Sequence, residues 1–179
     1  MRQNKTKQLT VIALFAAIIS ISSYLSIPLP FSPVPLTLQT FAIMLAGLIL
    51  APLEAGASLG VFLLLGAVGL PVFSGGTSGV GVLFGATGGY LFGFLAGAIV
   101  ISLLKGKNIS FVRMLIASTI GGVVVVYAIG VPWLAVYTGM DVTQAFTVGA
   151  MPFLIGDAIK VFVAASGAVT LRKQLKHIL

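Results

Sequence analysis

Asp157 and Lys160 carry opposite charges three residues apart, in a stretch, 151–171, that is otherwise apolar or small. Residues at that spacing share one face of a helix. In a hydrocarbon setting each charge costs about 2.5–3.5 kcal/mol on insertion scales, so such side chains face a partner, a bundle interior or a wet cavity. Two chemistries suit the pair. It can neutralise itself and pin two helices together, since buried pairs often only break even energetically. Or it can form the floor of a cavity, with the carboxylate accepting ligand N–H groups and the ammonium meeting an anionic or carbonyl group.

Other polar candidates are few. A stretch from Pro71 to Gly89 holds seven glycines and no charge. Loops of that length in compact folds are commonly lids or binding loops. Its glycines, Gly79 among them, are either simple loop residues or let backbone close over a small ligand, with Thr77 and Ser78 as hydroxyl donors. Tyr90 follows, either as a ring and phenol tip for a ligand or as an interfacial anchor. Gln39 can cap a helix or bind a polar ligand group. Ala13 and Ala17 make a small-xxx-small patch that suits internal packing or a partner's helices.

Catalytic constellations are missing from the sequence. His177 is the sole histidine and sits in a basic tail, and the three acidic residues lie in separate regions. That excludes a Ser-His-Asp triad, a two-histidine metal site and a carboxylate cage. Gly106 and Lys107 lack the rest of a phosphate-binding loop. Active transport would therefore draw on a partner or an ion gradient.

The scaffold around these residues follows from composition. Of 179 residues, 59% are hydrophobic and 7% charged, with mean hydropathy +1.18. Soluble domains average about a quarter charged. Membrane spans need about 20 apolar residues each, so the length admits roughly six. Expected spans are 8–27, 36–50, 54–70, 90–104, 109–129 and 152–171, the first retained rather than cleaved as a signal peptide. Pro28, Pro30, Pro33 and Pro35 predict a stiff polyproline-like connection. Pro132 and Trp133 mark an interface after the fifth span. Asp141 is expected in a solvated connection.

Behind the net charge of +7, nine of the ten lysines and arginines fall into three groups: Arg2, Lys5 and Lys7; Lys105, Lys107 and Arg113; Arg172, Lys173 and Lys176. These flank apolar runs, which points to a lipid bilayer rather than nucleic acid. An even number of crossings puts all three groups on the inner face. The expectation is an all-α, multi-pass protein of the cell membrane, residues 1–179 forming one bundle of six transmembrane helices with both termini cytoplasmic. Lys160 then lies about 12 Å below the outer start of the sixth span, at ~1.5 Å per residue.

Five segments make the chain resemble a known family. They are Pro33-Val-Pro-Leu-Thr-Leu-Gln39-Thr, Gly66-Ala-Val-Gly-Leu-Pro-Val-Phe73, Thr87-Gly-Gly-Tyr90, Gly130-Val-Pro-Trp133-Leu and Met151-Pro-Phe-Leu-Ile-Gly-Asp157-Ala-Ile-Lys160. In order and over nearly the whole chain, they are similar to the BioY family of biotin-binding substrate components. The resemblance implies a non-enzymatic, six-helix protein with no cofactor. It captures biotin with high affinity at the outer side and works with an energy-coupling factor module of one transmembrane coupling protein and two cytoplasmic ATPases. The family's Asp-x-x-Lys falls on Asp157 and Lys160, its glycine-rich ligand loop on Gly75 to Gly81, and its docking motif on Ala13 and Ala17. This loop is poorer in glycine at 77–80 than the family usually is. The alternatives are a component for another vitamin, an ion-coupled carrier, or a structural subunit in which the ion pair is a staple. A carrier normally shows repeated halves and more intramembrane ionisable groups.

Overall fold

A computed structural model of the chain describes residues 5–175. Arg2, Lys176 and His177 lie outside the described residues. Three apolar helical stretches are long enough to cross a membrane: Lys5–Ser22, Phe111–Thr138 and Val142–Gln174. Gln39–Ile49, Pro52–Ala67 and Gly88–Leu104 are apolar but shorter.

Helix α1 (Lys5–Ser22) ends earlier than its apolar run implies, because the chain turns at Ser23 and enters a hairpin of β1 (Ser26–Leu29) and β2 (Ser32–Thr37). The proline-rich connection is thus an antiparallel ribbon, paired Ser26 with Thr37 and Leu29 with Ser32, and not a polyproline spacer. Proline cannot donate to a ladder, but a two-stranded ribbon consists only of edges. Pro33 and Pro35 alternate with Val34, so their missing donors fall on one side of the strand.

Helix α2 (Gln39–Ile49) and α3 (Pro52–Ala67) are joined by a tight turn. Pro52 occupies the first helical turn, where its missing N–H is harmless, and the Glu54 carboxylate accepts from the Ala51 N–H at 3.1 Å. The segment after α3 contains a 3-10 turn (Ser74–Gly76) and a one-turn helix α4 (Val80–Leu83). It is pinned to neighbours: the Ser23 hydroxyl donates to Val72 O at 2.6 Å, and the Gly79 N–H donates to Gly66 O at 2.7 Å. Gly79 has φ +98°, a conformation that disfavours a side chain.

Helix α5 (Gly88–Leu104) passes through the centre of the bundle. Its glycines bring it against the next helix at backbone distance. A Cβ on Gly89 would lie 2.3 Å from Trp133 Cβ, on Gly93 3.0 Å from Val126 O, and on Gly97 2.3 Å from Gly121 O. The small-xxx-small spacing therefore packs α5 internally.

The expected fifth span is instead one continuous helical stretch from Phe111 to Thr138: α6 (Phe111–Thr119), a π-helical segment (Ile120–Val125) and α7 (Val126–Thr138). Pro132 stands inside α7 rather than beyond a helix end. Backbone loss at an internal proline is tolerated where neighbouring groups supply partners. Trp133 points inward, its indole N–H donating to Gly85 O at 2.9 Å. Asp141 caps α8 (Val142–Gly149) by accepting from the Thr143 N–H at 2.9 Å, and it is exposed. A 3-10 turn (Met151–Phe153) leads into α9 (Leu154–Leu175), which carries Asp157 and Lys160.

Two buried apolar clusters meet along this bundle. One centres on Phe62, Phe73, Phe94 and Leu134, and the other on Met44, Ile101, Met114 and the alanines of α9.

Candidate ligand site

Asp157 and Lys160 sit one turn into α9, at the wall of a cavity of about 380 Å³. Ligand pockets commonly occupy about 300–1,000 Å³. Most of its lining is apolar, including Phe73, Phe94, Val126 and Phe153. The hairpin contributes residues 33–37, and the glycine-rich segment contributes Phe73, Ser74, Thr77, Val82, Gly85, Ala86 and Thr87. Thus the two irregular segments line the cavity together with residues of α2, α5, α7 and α9.

Within it the Lys160 ammonium is fully coordinated. Lys160 Nζ donates to Thr37 O at 2.7 Å, to Thr40 Oγ1 at 2.8 Å and to Asp157 Oδ1 at 3.3 Å. An ammonium has three protons, so all are engaged. Asp157 Oδ2 accepts from the Tyr127 hydroxyl. The side chains are 14% and 3% exposed, so desolvation is substantial and the partners are what make two charges tolerable there. A carboxylate offers about four acceptor positions, and only two are filled. Asp157 therefore retains acceptor capacity beside the cavity, whereas Lys160 has none of its donors to spare unless the 3.3 Å contact is given up.

The other sequence-derived candidates separate. Thr77 lines the cavity and donates to Ser74 O at 3.0 Å, leaving its oxygen free to accept. Tyr90 also lines it; its ring lies at right angles to that of Tyr127, and its hydroxyl donates to Gly149 O at 2.9 Å. Ser78 and Gly79 are not on the lining. Gln39 is fully buried at the start of α2, away from the lining, and its amide oxygen and nitrogen have no partner. It caps no helix through a side-chain bond. Ala13 and Ala17 are not on the cavity lining; both are exposed on α1 beside Leu14 and Ile18, and so do not pack inside this chain.

Sequence reasoning missed three polar partners. Tyr127 lies in an apolar run, 30 residues before Asp157, with nothing in its spacing to mark it. Thr40 directly follows the candidate Gln39, which is the one signal for it in the sequence. Thr37 acts through its backbone carbonyl, which side-chain identity cannot reveal.

The chain resembles proteins over its full length. Residues 1–177 match the BioY family. The biotin transporter BioY of Thermotoga maritima is 44% identical over 167 residues, covering 93% of this chain and 96% of that protein. The biotin transporter BioY of Rhizobium etli is 41% identical, covering 89% and 90%. Among solved structures, the S-component for biotin from an ECF-type ABC transporter superposes with a TM-score of 0.88 at 33% identity, covering 97% of this chain and 94% of that one. With these apolar helices and this kinship, the chain is a membrane protein. It belongs to the BioY family.

Proposed function

We propose that the chain captures biotin in the cavity between the hairpin and α5, α7 and α9, and that it serves as the substrate-specific component of an ATP-driven energy-coupling factor transporter. The observation that carries this reading is a buried carboxylate with two unfilled acceptor positions at the edge of an otherwise apolar cavity. Biotin's ureido ring offers two N–H donors on a compact bicyclic body, and Asp157 suits that pair of donors. Lys160 compensates the carboxylate's charge and, held by Thr37 and Thr40, keeps it in place. The Thr40 hydroxyl, whose proton is not used by Lys160, suits the ligand's carbonyl or carboxylate, the Thr77 oxygen can accept from a ligand donor, and Phe73, Tyr90 and Phe94 suit its apolar body. Gln39, Ser78 and Gly79 are not among the contacting residues in this arrangement.

The chain forms one integral domain in the cell membrane, with three long and three short apolar helices making six crossings and both termini cytoplasmic. In that arrangement the basic residues other than Lys160 would share the cytoplasmic side, as the positive-inside bias requires. The cavity then opens outward. It performs no chemistry on the ligand. Ala13 and Ala17 offer a smooth face on α1 where a coupling protein's helices can approach closely, and two cytoplasmic ATPases supply the drive.

Uptake of labelled biotin by cells lacking their own biotin uptake tests this. Accumulation that requires both this chain and a coupling module with intact ATPases is expected. Gradient-driven accumulation by this chain alone would establish the carrier alternative instead.

A further inference from the structure

A second groove, of about 350 Å³, lies at the opposite end of the bundle from the ligand cavity, between the end of α5 and the start of α6. Its wall is apolar: Leu104, Val112, Ile116 and Ile120 are between 38% and 63% exposed. In a membrane protein such side chains face lipid. Arg113 stands at one end of this wall. Its guanidinium lies over Gly106, where a Cβ would come within 2.4 Å of Nη1. Behind it, Arg172 donates to Gly106 O at 3.2 Å and to Lys107 O at 3.3 Å.

One short turn therefore brings the guanidinium groups of Arg113 and Arg172 together at Gly106 with Lys107 beside them, while the buried Lys105 ammonium turns away to donate to Gly47 O at 3.0 Å and to Leu50 O. The chain has three carboxylates, and each is engaged elsewhere: Asp157 in the cavity, Asp141 capping α8, Glu54 capping α3. Among the described residues Arg113 has no carboxylate partner. A concentrated positive charge next to a lipid-facing groove calls for an anion with an apolar tail. From Arg113 to Ile120 is seven residues, or roughly 10 Å at ~1.5 Å per residue, enough for the upper part of an acyl chain.

We propose that this groove seats one anionic phospholipid, its phosphate on Arg113 and one acyl chain along Val112, Ile116 and Ile120. Basic pockets between transmembrane helices are a recurrent means of holding anionic headgroups. Bidentate geometry suits arginine to a phosphate. The proposal rests on membrane embedding and not on the identity of the transported ligand.

Native mass spectrometry of the full chain, released from nanodiscs of equal phosphatidylglycerol and phosphatidylcholine, tests it. Wild type should retain one phosphatidylglycerol, preferred at least fivefold over phosphatidylcholine, and Arg113→Gln should lose roughly fivefold of that preference. Ile116→Trp, which fills the groove and keeps the charge, should also lose the bound lipid. Biotin binding by each variant, measured on the same samples, shows that it is folded; if even wild type bound no biotin, thermal unfolding would serve that purpose and the lipid result would still stand. Equal retention in wild type and Arg113→Gln would overturn the proposal. So would unchanged retention in Ile116→Trp, which would mean diffuse attraction, or displacement by equimolar glycerol phosphate, which would mean a site for a free anion. Loss of coupling-protein binding in Arg113→Gln with lipid retention intact would make this a protein contact and equally overturn it.

Discussion

Tyr127 donates its hydroxyl to the carboxylate of Asp157 on the oxygen that Lys160 does not use. Two elements thus converge on a single buried acid: α9, which carries both charges, and α7, whose second residue is Tyr127. The π-helical segment immediately before α7 adds to the turn there, and so sets the direction in which Tyr127 leaves the helix.

Tyr127→Phe removes a hydrogen bond to a charged, nearly dry group, a loss of about 1.5–3 kcal/mol. Thermal unfolding in detergent is expected to show a lower midpoint, and biotin titration a weaker affinity. An unchanged midpoint would mean that the hydroxyl does not support the carboxylate.

Ala13→Trp places a large ring on an exposed face of α1. Biotin binding by the purified chain should be unaffected, while uptake in cells with the coupling module should fall to background. Weakened binding would indicate that this face contributes to the cavity after all.

The helices were legible in the sequence for a simple reason: long apolar runs have few stable forms other than spans. Asp157 and Lys160 were legible because charges are rare in such runs. The hairpin was not, since four prolines signal polyproline-like backbone, and only the pairing across Ser26–Thr37 reveals a ribbon. Nor was the passage of helix through Pro132, which local rules read as a terminator but which tertiary packing of Trp133 and Gly130 against α5 and the loop overrides. Tyr127 was invisible because its role depends on a contact 30 residues away, and Thr37 because its contribution is a carbonyl.

Gly97→Ala should disturb the bundle centre. The new Cβ would lie 2.3 Å from the backbone oxygen of Gly121, so α5 and the π-helical segment must separate. A cost of about 1–3 kcal/mol is expected. Gly60→Ala, where a Cβ meets open space, is the control and should match wild type or exceed it. Equal thermal midpoints for the two variants would contradict the close approach.

Asp141 has its carboxyl held below the usual carboxylate range by the backbone N–H of Thr143. Because the folded value is depressed, the cap contributes stability above the unfolded carboxyl's value, about 3.9, and the contribution fades as pH falls through the folded value. Asp141→Ala should lower the thermal midpoint at pH 7, and the gap from wild type should close in strong acid. A gap that persists at pH 2 would show that the charge on Asp141 is not what caps α8.

The most direct measurement is calorimetric titration of biotin into the detergent-purified chain, compared with Asp157→Asn and Lys160→Ala. Tight, one-to-one binding is expected for wild type. Both variants should bind more than tenfold more weakly, because truncating one partner of a buried charged pair costs about 2 kcal/mol or more. Wild-type affinity in both variants would contradict the account and leave Asp157 and Lys160 as a staple between helices.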